Sequence, residues 1–559
     1  MTQQQSPAVL QRTPYWHYAA IFLIPTILYW INPNWCFQNL GHMDPWYYFG
    51  EFWHSARFED LLKSYPGERI TWIAPGHVLA HVFGYVPGTM ILHWLVFLMS
   101  LFSVHDILRG IAGVRTAFLG AVLLGCHPFF ISANGWDYPE GMEMALVSLS
   151  FAVLLRASSS ARHSDLLLFV SAMLWSGVIY TYIGWAALTP AFYLAAVYLC
   201  APRIQMRSLI RTGMIIALGG FATTALLSSL FLLLGAHRFF FRENVKTALP
   251  FARMKGPNPW LEGDWYTQPS WLFFPVLAFC LALMMVIASR TRKPGTSKQF
   301  SGTLWFYLMT FGILVILTLR PTRLLAFQYH TSLLLPGAFL VLALLLFREP
   351  QQAPSWQVYL AGLIAAALSV TPLARVNPVQ ITHYWSWIAI VFTAFIALAV
   401  IRLLRPASGA WSVAVILAGA SSFLLIPRSP GLAWTAQYNG KEISERVARA
   451  VQDICNRVPP GRLPVFWINN NDDPRAAEYR GVMCAFVTHG KSMWDFPKLD
   501  PTKHYHPGTP IILVTEKKDV VEPASETLAK AGMPVKLISQ DLIAYGSQPY
   551  WVTCLEVLP

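Results

Sequence analysis

The chain has 559 residues, of which 55% are hydrophobic and only 12% charged, with a mean hydropathy of +0.44. Soluble domains carry about 25% charged residues, so a soluble enzyme, a disordered protein and a fibrous repeat are excluded, and a polytopic membrane protein remains. The net charge of +13 is not a nucleic-acid signal: residues 1–425 hold 26 Lys+Arg against 14 Asp+Glu, whereas residues 426–559 hold 15 against 14. The excess lies between apolar segments, where it reports orientation and contact with anionic headgroups.

In chain order, the short polar N-terminus carries no cleavable signal pattern and leads into a retained helix. A crossing needs about 20 apolar residues. Thirteen stretches qualify: 16–32, 87–105, 112–133, 141–156, 165–182, 184–201, 212–235, 271–289, 302–319, 332–347, 356–373, 384–402 and 409–426. The stretches 165–182 and 184–201 are nearly continuous and predict a tight hairpin around Thr181–Gly184. Three segments between them stand out: a long first loop over 33–86, a short acidic second loop over 134–140 (NGWDYPE), and a third over 236–270.

From about residue 427 the composition changes. GKEISERVARAVQDICNRV reads as a helix, PPGRLPVFWINN as a turn entering a strand, PGTPIILVTEKKD as a buried strand and SETLAKAGM as a short helix. VKLISQDLIAYGSQPYWVTCLEVL reads as closing strands. The expected architecture is therefore a polytopic α-helical membrane domain, 1–426, of about 13 helices, followed by a small α/β domain, 427–559. That domain has no P-loop, no GxGxxG and no nucleophile elbow. With the N-terminus inside, one side of the membrane collects 15 Lys+Arg and three acids (Asp106, Asp165, Glu349), the other 11 of each. The positive-inside rule favours that orientation, and thirteen crossings then put the C-terminal domain outside. The tail cysteines, Cys455, Cys484 and Cys554, fit one disulfide there or three separate buried thiols.

Ionisable groups at membrane depth are costly and point to function. The first cluster is GHMDPWYYFGEFWH, with Asp44, Tyr47, Tyr48 and Glu51. Pro45 can open a helix, so Asp44 reads equally as an N-cap or as a working carboxylate. The second is NGWDYPEGMEM. If a helix starts near Pro139, Glu140 and Glu143 lie one turn apart and Asp137 caps it. The helix dipole favours acids there, but three carboxylates with no local cation repel one another, which suits an incoming cation, proton or polar substrate. The third is LRPTRLLAFQYHTS: Arg320 and Arg323, with His330 following, suit a phosphate through paired hydrogen bonds, or an anionic headgroup. His77 and His81 have a metal-binding i,i+4 spacing but no third ligand, and no metal is assigned.

These features together resemble the GT-C superfamily of membrane glycosyltransferases, which includes oligosaccharyltransferases, protein O-mannosyltransferases and lipid A aminoarabinose transferases. The resemblance rests on an Asp shortly after the first helix, a short acidic second loop, and a membrane domain preceding a small domain. MDPWYYFGEF with ERITWIAPGHVLAHVFG is similar to bacterial GT-C-like proteins of unassigned acceptor. It implies inverting transfer of a sugar from a polyprenyl-phosphate or polyprenyl-diphosphate donor to a glycan, lipid or protein acceptor at the outer face of the bacterial inner membrane. Asp44 would be the general base. Asp137 and Glu140 would support it, and Arg320 and Arg323 would hold the donor phosphate. Tyr48, Glu51, Glu143 and His330 would complete substrate binding. The second loop reads DYPE rather than DxD and the tail lacks WWD, so the pattern departs from oligosaccharyltransferases. No cofactor is required, and a divalent metal is an option. A surface-polysaccharide ligase or polymerase and a membrane transporter are the competing classes. Acids gathered at loops rather than at helix midpoints weigh against transport.

Overall fold

The computed structural model describes residues 13–31, 48, 52, 67–125, 130, 131, 134, 139–201, 205–233, 241, 242, 244–246, 298–318, 333, 335–347, 465, 466, 504–515, 519, 521–545 and 548–559. The apolar stretches over 271–289, 356–373, 384–402 and 409–426 lie outside them, as does the helix expected over 440–458.

The membrane part is a packed set of helices: α1 (Tyr15–Ile31), α2 (Ile70–Phe83), α3 (Tyr85–Ala112), α4 (Val114–Gly125), α5 (Glu140–Ser159), α6 (Ser164–Thr181), α7 (Thr189–Cys200), α8 (Met206–Leu233), α9 (Lys298–Thr318) and α10 (Leu335–Phe347). Spans within α3, α5, α6, α8 and the Ile183–Cys200 stretch are long and apolar enough to cross a membrane. The chain is an integral membrane protein. α1 runs unbroken through Pro25, whose ring packs on Gly125 of α4 where a Cβ would crowd it.

The helix ends sort by charge. At one end, Arg156 of α5 pairs with Asp106 of α3 at 2.7 Å, and Arg211 of α8 pairs with Asp165 of α6. At that end too, Lys298 Nζ donates to the Ala201 carbonyl at 2.7 Å. The opposite end holds the start of α5 and the end of α6. Between them, Ser150 and Ser171 donate to each other's carbonyl at 2.8 and 2.7 Å. This reciprocal pair satisfies both hydroxyls where no water is available.

Two features differ from expectation. The first loop contains α2, a 14-residue apolar helix too short to span a membrane. It turns back on α3 at Gly84, which has φ +86, and Gly88 lets the two backbones meet: a Cβ there would overlap the Leu79 carbonyl. And the break between α6 and α7 is not a bare hairpin. Tyr182 is extended (φ −153, ψ 119) and a 3-10 turn follows over Ile183–Leu188. The break is held by Trp175, which stacks on Phe192 at 4.6 Å and donates to Thr189 Oγ1 at 3.2 Å.

Near the C-terminus stands a four-stranded sheet, ordered β1-β2-β4-β3, from β1 (Val465–Phe466), β2 (Pro510–Thr515), β3 (Val535–Tyr545) and β4 (Gln548–Val557). β1 and β2 are parallel and the other pairs antiparallel, with a bulge between Leu537 and Ser539. Helix α11 (Val521–Lys530) lays Ala524 and Leu528 on Ile511, Leu513, Leu555 and Val557. It stops at Gly532 (φ +78), where the Met533 N–H donates to the Leu528 carbonyl at 2.8 Å. Cys554 is buried on β4, at 2% exposure, and Cys455 and Cys484 lie outside the described residues.

Candidate functional site

The site is built where the three loops singled out above meet the ends of α5 and α6. Its cation is Arg69, which sits just before α2 in the N-cap position and is only 2% exposed. Arg69 Nη1 donates to the Tyr48 hydroxyl. Its guanidinium lies 4.9 Å from the Tyr182 ring centroid and 5.4 Å from that of Tyr48. Two aromatic faces thus hold a desolvated guanidinium, an arrangement worth about 2 kcal/mol or more per well-placed ring when buried. The extended Tyr182 is what directs a ring from the α6–α7 break towards Arg69.

Of the acids of α5, Glu143 lies within electrostatic reach of this cation. The helix begins at Glu140, and Glu140 and Glu143 occupy its first turn. Both are buried, at 1% and 0% exposure. The N-cap is Pro139, not Asp137, and no side chain caps the helix. The Arg69 charge and the Trp185 side chain both bear on the Glu143 carboxylate. An absence of local cations in the sequence therefore does not hold in space: Arg69, 74 positions earlier in the chain, supplies one. The helix dipole favours these acids, yet a terminal cap does not require two carboxylates to leave water. Buried acids with perturbed proton affinity cluster at functional sites, and on that ground Glu140 and Glu143 are candidates.

A polar wall stands behind the acids. His93 Nδ1 donates to the Asn134 carbonyl at 2.6 Å, and Asn134 Nδ2 donates to the Phe130 carbonyl at 2.8 Å. The His93 ring meets Trp72 edge-on at 5.1 Å. A Cβ on Gly141 would stand 3.4 Å from Asn134 Oδ1, so Asn134 lies close over the start of α5. Thr71 and Thr181 hydroxyls are 2.6 Å apart, joining α2 to the end of α6.

The third loop enters through Phe241 and Asn244. Glu68, 1% exposed, accepts from the Asn244 backbone N–H at 2.9 Å and from Asn244 Nδ2 at 3.1 Å. Phe241 packs with Ile70 and meets the Tyr180 ring edge-on at 5.0 Å.

Of the residues expected from sequence, Tyr48, Glu140 and Glu143 are brought to this cluster. Asp44, Glu51, Asp137, Arg320, Arg323 and His330 lie outside the described residues. Glu68, Arg69, Tyr182, Trp185 and Asn244 were not expected. The signal for two of them was present in ERITWIAPGHVLAHVFG, where a charged pair opens an apolar run. His77 and His81 form a tilted ring pair with centroids 4.1 Å apart, and His81 Nδ1 donates to the His77 carbonyl at 2.8 Å. Burial and the His81 charge hold the His77 imidazole below its usual range, against a hydrogen bond that the ring donates to the Phe52 backbone. Among the described residues no group of three or more His, Cys, Asp or Glu side chains is placed to hold a metal ion.

No family model matches the sequence, and no curated protein matches it. The structure is similar to that of ArnT from Cupriavidus metallidurans bound to undecaprenyl phosphate, at a TM-score of 0.58 and 16% identity over 96% of this chain and 98% of that one. The apo state of that protein gives a TM-score of 0.56 at 16% identity over the same shares. The apo oligosaccharyltransferase of Archaeoglobus fulgidus gives 0.46 at 13% identity, over 86% of this chain and 65% of that one. The ArnT likeness runs nearly end to end in both chains and shows that the two share a fold.

Proposed function

We propose that the protein is an inverting membrane glycosyltransferase that takes a sugar from a polyprenyl-phosphate or polyprenyl-diphosphate donor at the extracytoplasmic face. The observation that carries this reading is one buried cation, Arg69, held between Tyr48 and Tyr182 and within electrostatic reach of the buried Glu143 at the acidic end of the helices. It is supported by the fold of a protein whose structure holds undecaprenyl phosphate.

The chemistry suits such a site. A bond forms between the acceptor oxygen and the anomeric carbon, and the bond from that carbon to the phosphate oxygen breaks. The electron pair leaves with the phosphate, which an arginine stabilises without protonation. The acceptor's proton goes to a carboxylate, and Asp44 is the proposed base, with Asp137 and Glu140 supporting the acceptor and Glu51 completing its binding. Glu143 sets the electrostatic balance around Arg69. Arg320, Arg323 and His330 are further phosphate contacts in this proposal.

The membrane domain is taken as 1–426 with about 13 helices, and 427–559 as a periplasmic α/β domain. Separation of the basic helix ends from the acidic site end supports that orientation. A surface-polysaccharide ligase or polymerase would use the same face and differ in its acceptor.

Binding of undecaprenyl phosphate to the purified full chain in lipid nanodiscs tests the donor class. Wild type is expected to bind it, with Arg69→Ala weakened about tenfold or more, the size of one lost charge-assisted contact. A wild-type chain that does not bind the lipid phosphate sinks the donor assignment.

A further inference from the structure

Glu68 and Arg69 are adjacent in the chain, yet their side chains serve different neighbours. Arg69 meets Tyr48 and Tyr182, whereas Glu68 accepts two hydrogen bonds from Asn244, at 2.9 and 3.1 Å, across 176 positions of sequence. Both ends of this contact are buried, Glu68 at 1% and Asn244 at 0% exposure. Asn244 lies on a short helical turn in which the Val245 N–H donates to the Phe241 carbonyl at 3.2 Å. The turn is seated a second time by Phe241 against Ile70, Ala74 and Tyr180.

A carboxylate taking both the main-chain and the side-chain donor of one asparagine fixes that residue's orientation, and a charged acceptor makes each bond stronger than a neutral one. Because the peptide unit between residues 68 and 69 is rigid, whatever fixes Glu68 also restricts where the Arg69 side chain begins.

The geometry points to Glu68 as a positioning residue: its clasp on Asn244 fastens the Phe241–Lys246 turn to the start of α2 and thereby sets Arg69 for the donor phosphate. This rests on the lipid-phosphate reading above, and the test separates the two.

Arg242 and Lys246 flank Asn244 and are exposed, so trypsin reads the clasp directly in the full-length chain in nanodiscs. Asn244→Asp sets a second carboxylate against Glu68. Glu68→Gln with Asn244→Asp restores an amide–carboxylate pair with the roles exchanged. Asn244→Asp is expected to speed cleavage after Arg242 and Lys246 by about tenfold and to weaken undecaprenyl phosphate binding by a similar factor, and the double variant to recover both. Unchanged cleavage in Asn244→Asp overturns the clasp. Faster cleavage with unchanged lipid affinity overturns the positioning role and leaves a structural contact only. If wild type fails to bind the lipid, the donor reading and the positioning role fall together, while cleavage still reports on the clasp.

Discussion

At the scale of single residues, the cluster around Arg69 joins stability to chemistry. A guanidinium buried between two tyrosines, one of which accepts its hydrogen bond, is left with an unsatisfied polar group when that partner is cut. Losing a partner of a buried polar group typically costs about 1–3 kcal/mol. Arg69→Ala is therefore expected to lower the melting temperature of the purified protein as well as its activity. Arg69→Lys keeps the charge but loses the planar group that stacks on Tyr48 and Tyr182. It is expected to recover much of the thermal stability and little of the lipid affinity. Equal recovery of both in a paired melting and binding experiment would show that charge alone matters. None of this was legible from sequence position. Glu140 and Glu143 could be found because three acids within seven residues are unusual beside an apolar helix. Arg69 is one of three cations in a long mixed loop, and only the fold brings it to α5.

At the scale of elements, most helices were readable because a buried or lipid-facing helix is a continuous apolar run with basic residues at one end. The boundaries of α5, α6 and α10 follow that rule closely. α2 escaped because it is too short to span and contains Pro75 and Gly76, which read as loop punctuation. Its place is set by contact rather than by propensity. Gly88→Ala would drive a methyl group into the α2 backbone at Leu79 and Ala80, which cannot rotate away as a side chain can. The expected cost is about 1–3 kcal/mol, seen as a lower melting temperature, and an unchanged one would mean that α2 is not held against α3 at this point. Between α5 and α6, the Ser150–Ser171 pair is a second measurable contact. A double-mutant cycle with alanine is expected to give a coupling of about 0.6 kcal/mol, typical for hydrogen bonds inside membrane proteins. A coupling of zero would mean that each hydroxyl is satisfied equally well without the other.

At the scale of the whole molecule, charge and polarity divide the helices into two ends. One carries arginines paired to Asp106 and Asp165. The other gathers Tyr48, Glu68, Arg69, Glu140, Glu143 and Asn244, nearly all removed from water. That polarity was visible as a bias in Lys and Arg between alternate loops. The convergence of three loops on one cluster was not, because hydropathy fixes which segments are helices and not which ends become neighbours. The strands of the C-terminal sheet were legible for a local reason, since PIILVT is a buried β-branched run bounded by turn residues. The state of its cysteines was not, because three cysteines in one tail do not specify their pairing.

The central claim is glycosyl transfer by carboxylates at the acidic end. Its most direct test is mass spectrometry of envelope glycans from cells lacking this protein, complemented at matched membrane levels with wild type, Asp44→Asn or Glu143→Gln. Wild type is expected to restore a missing sugar that neither variant restores, and the mass of that sugar would define the donor. Full restoration by Asp44→Asn would make that residue only a helix cap and contradict the catalytic assignment. Glycans that are identical with and without the wild-type protein would contradict glycosyl transfer altogether.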